Sequence, residues 1–301
     1  MKALVISGGG SKGAYAGGVA HHLIIEQLKK YNILIGTSTG SLLLPHLALG
    51  KVEKLKSIYT NVTPKDIFNI NPFIVKRKGN REYVTIRHWD VLWQLMRNKR
   101  TFGESKNLRK NIERNFTKEE FNNLKTSDIE VVVTVSNLTK NVVEYKRLKD
   151  CSYIDFCDWM WISANYVPFM SLVTKNGCEY ADGGFGAVSP IREAIRRGAM
   201  EVDAIILEAE NMEHNIVLGK NPFSLMVNLF GFVIDQIEYH NIAEGKLAAI
   251  AKEVELNLYY TPTKLTENSL IFDKTLMTNW WQRGYNAAAK RIALSKIEYL
   301  P

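Results

Sequence analysis

The chain has 301 residues, 46% hydrophobic and 23% charged, which supplies one sizeable core and excludes a disordered polymer. A formal charge of +8 makes nucleic acid, anionic membrane or acidic molecules the electrostatic candidates for partners, and three irregularly spaced cysteines exclude a disulfide framework and a cysteine zinc site. No apolar run has the length of a membrane-spanning helix or a signal-peptide core, so the expectation is a cytoplasmic protein with reduced thiols.

In chain order, residues 2–7 read as a strand covered on both faces, because Ala3-Leu4-Val5-Ile6 is continuously apolar. The loop Ser7-Gly8-Gly9-Gly10-Ser11-Lys12-Gly13 follows, and then a helix to about Lys30. A glycine-rich loop between a strand and a helix is an anion cradle, since its N–H groups are uncommitted and no side chain holds an anion away. The anion is either a phosphate or the oxyanion that develops on an ester carbonyl. The spacing is not that of a Walker loop. Nor does it fit a dinucleotide fingerprint, because Ile35-Gly36-Thr37-Ser38 stands where the acidic residue belongs.

Asn32–Ile35 is the second strand. It runs into Gly36-Thr37-Ser38-Thr39-Gly40, a G-x-S-x-G pattern set between a strand and an apolar helix. A serine hydroxyl must stand clear of its own backbone to lose a proton and attack an ester, and a tight turn lifts it out. Glycine at 36 and 40 removes the Cβ atoms that would collide there. A strand, loop, helix and second strand in about thirty residues make a βαβ unit with parallel neighbours. Both loops then lie at the carboxyl ends of adjacent strands, where open α/β sheets hold ligands, and the glycine loop faces Ser38.

Helices are expected over 41–60 and 64–70. Lys76–Lys118 carries 13 Lys and Arg against 4 Asp and Glu, with Trp89, Trp93 and Phe102 interleaved. Further helices read over 107–116 and 118–124. The β-branched run Ile129–Val135 is a core strand that forms a hairpin with 141–146. A helix over 153–164 and short strands at 171–174 and 178–181 lead to Asp182-Gly183-Gly184-Phe185, in isolation an ordinary Asp-Gly turn. Then come a helix at 191–197, a strand at 204–207, a long helix at 223–252, a strand at 255–260 and a helix at 279–295. The long helix has apolar residues at 226, 229, 230, 233 and 237 on one face, for which core packing is the simplest account. With no repeat and no low-complexity linker, the chain reads as a single domain over 1–301 with a basic, partly helical insertion at about 71–125. The fold class is α/β, three layers around a mainly parallel sheet.

With Gly8-Gly9-Gly10, Gly36-x-Ser38-x-Gly40 and Asp182-Gly183-Gly184 in that order, the chain resembles the patatin-like phospholipase family. Tyr31-Asn32-Ile33-Leu34-Ile35 is similar to the family's approach to its nucleophile, and Ser163-Ala164-Asn165-Tyr166-Val167-Pro168-Phe169 to its S-A-x-x-x-P segment. Pro190-Ile191-x-x-Ala194 resembles its next helix and Trp281-x-x-Gly284-Tyr285-x-x-Ala288 its closing helix. The basic segment is the least matched part, and Ser7 stands where the family usually carries Asp.

The resemblance implies a patatin-like fold and a lipid acyl hydrolase needing no metal or cofactor. Ser38 would be the nucleophile and Asp182 its base, without a histidine. Gly8, Gly9 and Gly10 would form the oxyanion hole, Gly36 and Gly40 the elbow, and Gly13, Gly183 and Gly184 would support them. Free Asp, with a pKa near 3.9, is a weak base, so partial desolvation is expected to raise it. Two other readings use the same residues. One is an esterase of Ser38, Asp182 and His214 or His240; the other is a non-catalytic lipid- or phosphate-binding module. A nucleic-acid binder lacks a recognition motif. For a phospholipid or other acyl-ester substrate, Lys76, Arg77, Lys78, Arg97, Lys99 and Arg100 beside Trp89 and Trp93 suit peripheral contact with an anionic membrane.

Overall fold

Strands that are apolar on both sides need cover on both sides, and the sheet has it. The computed structural model describes residues 1–78, 81–210, 222–266 and 268–298, with the side chains of all of these except 75–78, 81–85, 90, 95, 222–224 and 295–298. The elements in order are β1 (Lys2–Ile6), α1 (Gly13–His21), β2 (Ile33–Thr37), α2 (Thr39–Ala48), α3 (Val52–Asn61) and α4 (Pro64–Ile67). Next come β3 (Phe73–Lys78), β4 (Arg81–Ile86), α5 (His88–Met96), α6 (Lys106–Asn115) and α7 (Lys118–Thr126). β5 (Glu130–Asn137), β6 (Val142–Arg147), α8 (Tyr153–Ser163), β7 (Val173–Lys175) and β8 (Cys178–Asp182) follow. The chain continues through α9 (Ile191–Arg196), β9 (Glu201–Ala209), α10 (Pro222–Ala251), β10 (Glu255–Thr261) and α11 (Lys274–Glu298).

The main sheet has the order β10-β9-β1-β2-β5-β8-β7, with β6 also paired to β5. From β10 to β5 all pairs are parallel, and β6, β7 and β8 add antiparallel pairs. Alternate side chains divide between two cores. Leu4, Ile6, Leu34, Val133 and Ile205 pack with α1, α2, α8 and α11. Ala3, Val5, Ile35, Val132 and Ile206 pack with α9 and α10 on the other face. The three-layer α/β/α arrangement is the one expected. No helix among the described residues is long and apolar enough to cross a membrane.

Several boundaries differ from the sequence reading. The helix expected over 41–60 is two, α2 and α3, because Gly50 takes φ +67 and turns the chain. The helix after the glycine loop ends in a π turn at His22–Glu26, short of Lys30. β9 is longer than the apolar 204–207, and α11 starts before 279. Within 71–125, β3 and β4 form an antiparallel hairpin with its own two-stranded sheet, where only helices were read. Consecutive charges at 76–78 and 81–82 hide its alternation.

α1 and α11 pack at backbone distance over glycines. A Cβ on Gly18 would lie 1.9 Å from the Trp281 carbonyl oxygen, and one on Gly284 would lie 2.1 Å from that of Tyr15. Gly18→Ala should therefore destabilise the fold by about 1–3 kcal/mol or more, read as a lowered Tm in thermal denaturation.

Candidate active site

β5 brings the two motifs together. β2 pairs with it from Ile33–Glu130 to Thr37–Thr134 and then ends. The other edge is occupied by β6 across Val132–Asn137. β8, running the opposite way, takes up the β2 edge at the very next residue, Val135–Asp182. The end of β2 and the end of β8 therefore meet in one lane. A Cβ on Gly183 would sit 2.4 Å from the Thr134 carbonyl oxygen, so the chain leaves β8 flush against β5 only with glycine there.

Ser38 leaves β2 at φ 53, ψ −122, a conformation that L residues rarely adopt. Its Oγ donates to Asp182 Oδ2 at 2.7 Å. Asp182 Oδ1 accepts the Gly184 N–H at 2.8 Å. Asp182 is 4% exposed, and burial pushes its pKa up to about 7 against the opposing hydrogen bonds from Ser38 and Gly184. The elbow is fixed by contacts that only glycine allows. A Cβ on Gly36 would lie 2.6 Å from the Gly40 carbonyl carbon, and one on Gly40 would lie 2.3 Å from the Ile6 carbonyl oxygen. A Cβ on Gly13 would lie 2.4 Å from Thr39 Oγ1 and from the Tyr59 hydroxyl.

The glycine loop does face Ser38: a Cβ on Gly8 would be 3.3 Å from the Ser38 Cβ. Its donors are not all open, however. Gly8 donates its N–H to the Val188 carbonyl at 3.1 Å, which removes it from the expected set of three. The N–H groups of Gly9 and Gly10 have no acceptor among the described residues, and neither has that of Thr39 at the start of α2. Ser7, in place of the family's Asp, ties the loop to β9: its Oγ accepts the Leu207 N–H at 2.9 Å.

Several supports were not read from the sequence. Ser163 Oγ accepts the Ser38 N–H at 2.9 Å, and the Asn165 carbonyl accepts the Asp182 N–H at 2.9 Å. The S-A-x-x-x-P segment was their signal. Residues 187–189 form a strap across the site. Thr37 Oγ1 donates to the Ala187 carbonyl at 2.8 Å, and Asn241 Oδ1 on α10 accepts from Val188 N at 2.7 Å. Beside it, Ser189 Oγ donates to Glu238 Oε1 at 2.7 Å, with the Glu238 pKa pushed up to about 8 by burial. Nothing in an apolar helical stripe announces Asn241 or Glu238. An aromatic wall adjoins the Asp182 turn: Tyr166 stacks on Phe185 at 5.4 Å and on Phe169 at 5.7 Å, with Phe230 edge-on.

No described histidine hydrogen-bonds to Ser38 or Asp182; His240 is exposed on α10, and His214 lies outside the described residues. The side chains of Lys76, Arg77 and Lys78 also lie outside the described residues. Trp89 and Trp93 are 83% and 59% exposed. Two of the remaining cations are already paired, Lys99 with Glu104 at 3.2 Å and Arg100 with Glu179.

The family model of patatin-like phospholipase matches residues 4–195, a span that contains both Ser38 and Asp182. The chain belongs to the patatin-like phospholipase family. As a class, the family supports lipid acyl hydrolysis. Among solved structures, VipD from Legionella pneumophila is similar, at TM-score 0.49 and 12% identity over 96% of this chain. The chain spans 66% of the length of that one. Comparison with curated proteins finds no match.

The buried carboxyl of this patatin-like chain has a consequence for stability. Between the unfolded pKa near 3.9 and the folded value of about 7, only the native state holds the proton. Stability from this group therefore falls as pH rises across that window and stays lowered above it. Asp182→Asn should raise the Tm at pH 8, with the gain shrinking towards pH 4, as read by calorimetry.

Proposed function

We propose that the protein hydrolyses carboxylic ester bonds of lipids, with phospholipid as the substrate class, through a Ser38 acyl-enzyme. The observation that carries this reading is the 2.7 Å bond from Ser38 Oγ, on its strained elbow, to a buried Asp182 carboxyl. Asp182 Oδ2 takes the serine proton as Oγ attacks the ester carbonyl carbon. The resulting oxyanion accepts from the open N–H groups of Gly9 and Gly10, a contribution of roughly 3 kcal/mol per donor. The intermediate collapses, and the leaving alcohol takes the proton back from Asp182. Water then attacks the acyl-enzyme, gives its proton to Asp182, and releases the acid as Ser38 recovers its hydrogen. Desolvation keeps Asp182 basic enough to do this near neutral pH. Both carboxylate oxygens are already engaged by Ser38 and Gly184, which disfavours the histidine-dependent esterase. The strained serine bonded to a buried base disfavours the pure binding module.

Ser38→Ala and Asp182→Asn should each lower hydrolysis of a short-chain ester by about a thousandfold or more. Ser38→Ala should also abolish labelling by a fluorophosphonate, while His214→Ala and His240→Ala leave both intact. In wild type, kcat/KM should rise with pH through about 7, as Asp182 loses its proton. A histidine variant that is dead while Asp182→Asn stays active would sink the proposal.

We further read the chain as one catalytic domain with 71–125 inserted, acting in the cytoplasm at an anionic membrane. Three cysteines without disulfides suit a reducing compartment. The exposed Trp89 and Trp93, with Arg97 close in sequence, suit an interface of headgroups and chains. Trp89→Ala with Trp93→Ala should weaken sedimentation with phosphatidylglycerol vesicles about tenfold, and leave turnover of a soluble ester unchanged. Equal binding of wild type to neutral and anionic vesicles would count against it.

A further inference from the structure

α10 braces the candidate site on one side and carries an uncovered apolar stripe on the other. Glu238 and Asn241 face inward to the strap at 187–189. On the outer side, Leu225, Leu229, Phe232, Tyr239, Leu247 and Ile250 are between 58% and 77% exposed. Core packing, the simplest account of an apolar stripe in the sequence, does not hold for Leu229 or Val233, which are both exposed. From Leu225 to Ile250 the stripe runs for about 38 Å, at 1.5 Å per helical residue. A monomeric protein rarely leaves so long an apolar patch in water.

The spacing of the stripe matches a second helix. Positions 225, 229, 232, 236, 239, 243, 246 and 250 alternate steps of four and three, the seam of a coiled coil. Turned end for end about a two-fold axis between Ile237 and Glu238, this seam complements itself. Leu225 meets Ile250 of the second copy, the Phe232 ring meets the small Ala243, and the Gln236 amide meets the Tyr239 hydroxyl. A large side chain against a small one lets helices approach closely, and a polar pair in mid-seam fixes the register. The Lys246 stem covers Leu229 while its ammonium reaches water. In the adjoining row Met226 meets Leu247 and Val233 meets His240, so no like charges face each other. An anionic membrane suits this face poorly. The exposed charges between 225 and 250 are Asp235 and Glu244 against Lys246 alone, and Glu244 is already paired with Arg192 at the rim.

We propose that α10 is the interface of a two-fold homodimer, its Leu225–Ile250 stripe packed antiparallel against that of a second copy. Stable interfaces bury roughly 800 Å² from each partner, and a seam of this length with six large exposed apolar side chains per copy is of that order. The pairing does not depend on the hydrolase reading. It covers the outside of the helix whose inner side holds the strap, so each copy stiffens the brace of the other's site.

The test is sedimentation equilibrium on the full chain. Wild type should show twice the 34.2 kDa protomer mass, with micromolar or tighter association. Phe232→Glu and Ala243→Lys should each weaken self-association about thirtyfold or more, with melting curves confirming that both variants fold. Mixed in equal amounts, the two variants should recover a dimer to within about tenfold of wild type. The antiparallel register sets the introduced carboxylate against the introduced ammonium in one layer and leaves the matching layer native. A monomeric wild type, a dimer that survives Phe232→Glu, or a mixture no tighter than either variant alone overturns the assignment. A monomer that binds phosphatidylcholine vesicles and loses them on Phe232→Glu gives the face to lipid and overturns it as well. Fluorophosphonate labelling of Ser38 is read separately, so an inert serine leaves the dimer standing and a failed dimer leaves the serine chemistry standing.

Discussion

One edge of β5 serves two strands in succession, and the candidate site depends on that arrangement. β2 uses it as far as Thr134 and β8 resumes it at Val135 from the opposite direction. Strand pairing fixes register to a single residue, because a slip of one turns every side chain to the other face. The meeting of Ser38 with Asp182 therefore follows from backbone hydrogen bonding along the sheet, not from a flexible approach of two side chains. The glycines at 36, 40 and 183 follow from the same geometry, since each stands where backbone meets backbone.

The same junction sets the electrostatics. A carboxyl at the buried end of β8, with an aromatic stack beside its turn, sits away from water, so its charge is disfavoured. Two donors partly offset this, one from Ser38 and one from Gly184. The balance leaves a proton affinity near neutrality in place of that of an ordinary carboxylate. Around it, the strap at 187–189 ties the glycine loop to α10, so the first strand's loop is braced by an element more than 200 residues further along the chain.

Local pattern made the first part of this legible. Continuous apolar runs gave β1, β2 and β5 as core strands, and the glycine loop and G-x-S-x-G gave two strand-end turns in parallel neighbours. Asp182 was different: its immediate sequence is an ordinary turn, and only the family resemblance singled it out. Its place depends on an antiparallel strand entering a parallel lane, which no periodicity records. The Gly8 N–H was read as open because its acceptor, Val188, is 180 positions away. Gly50 was passed over because the apolar pattern runs through it from α2 into α3. The β3–β4 hairpin was missed because clustered charge looks like a solvated helix face.

The closeness of the Ser38–Asp182 contact also limits what can stand between the two residues. With Oδ2 held by Ser38 at 2.7 Å and Oδ1 by Gly184 at 2.8 Å, there is no gap into which an imidazole ring could be inserted. Ser38 and Asp182 follow from strand ends paired to adjacent positions of β5, Thr134 and Val135, which holds them in direct contact. Any third group would have to displace one of these two hydrogen bonds rather than join them.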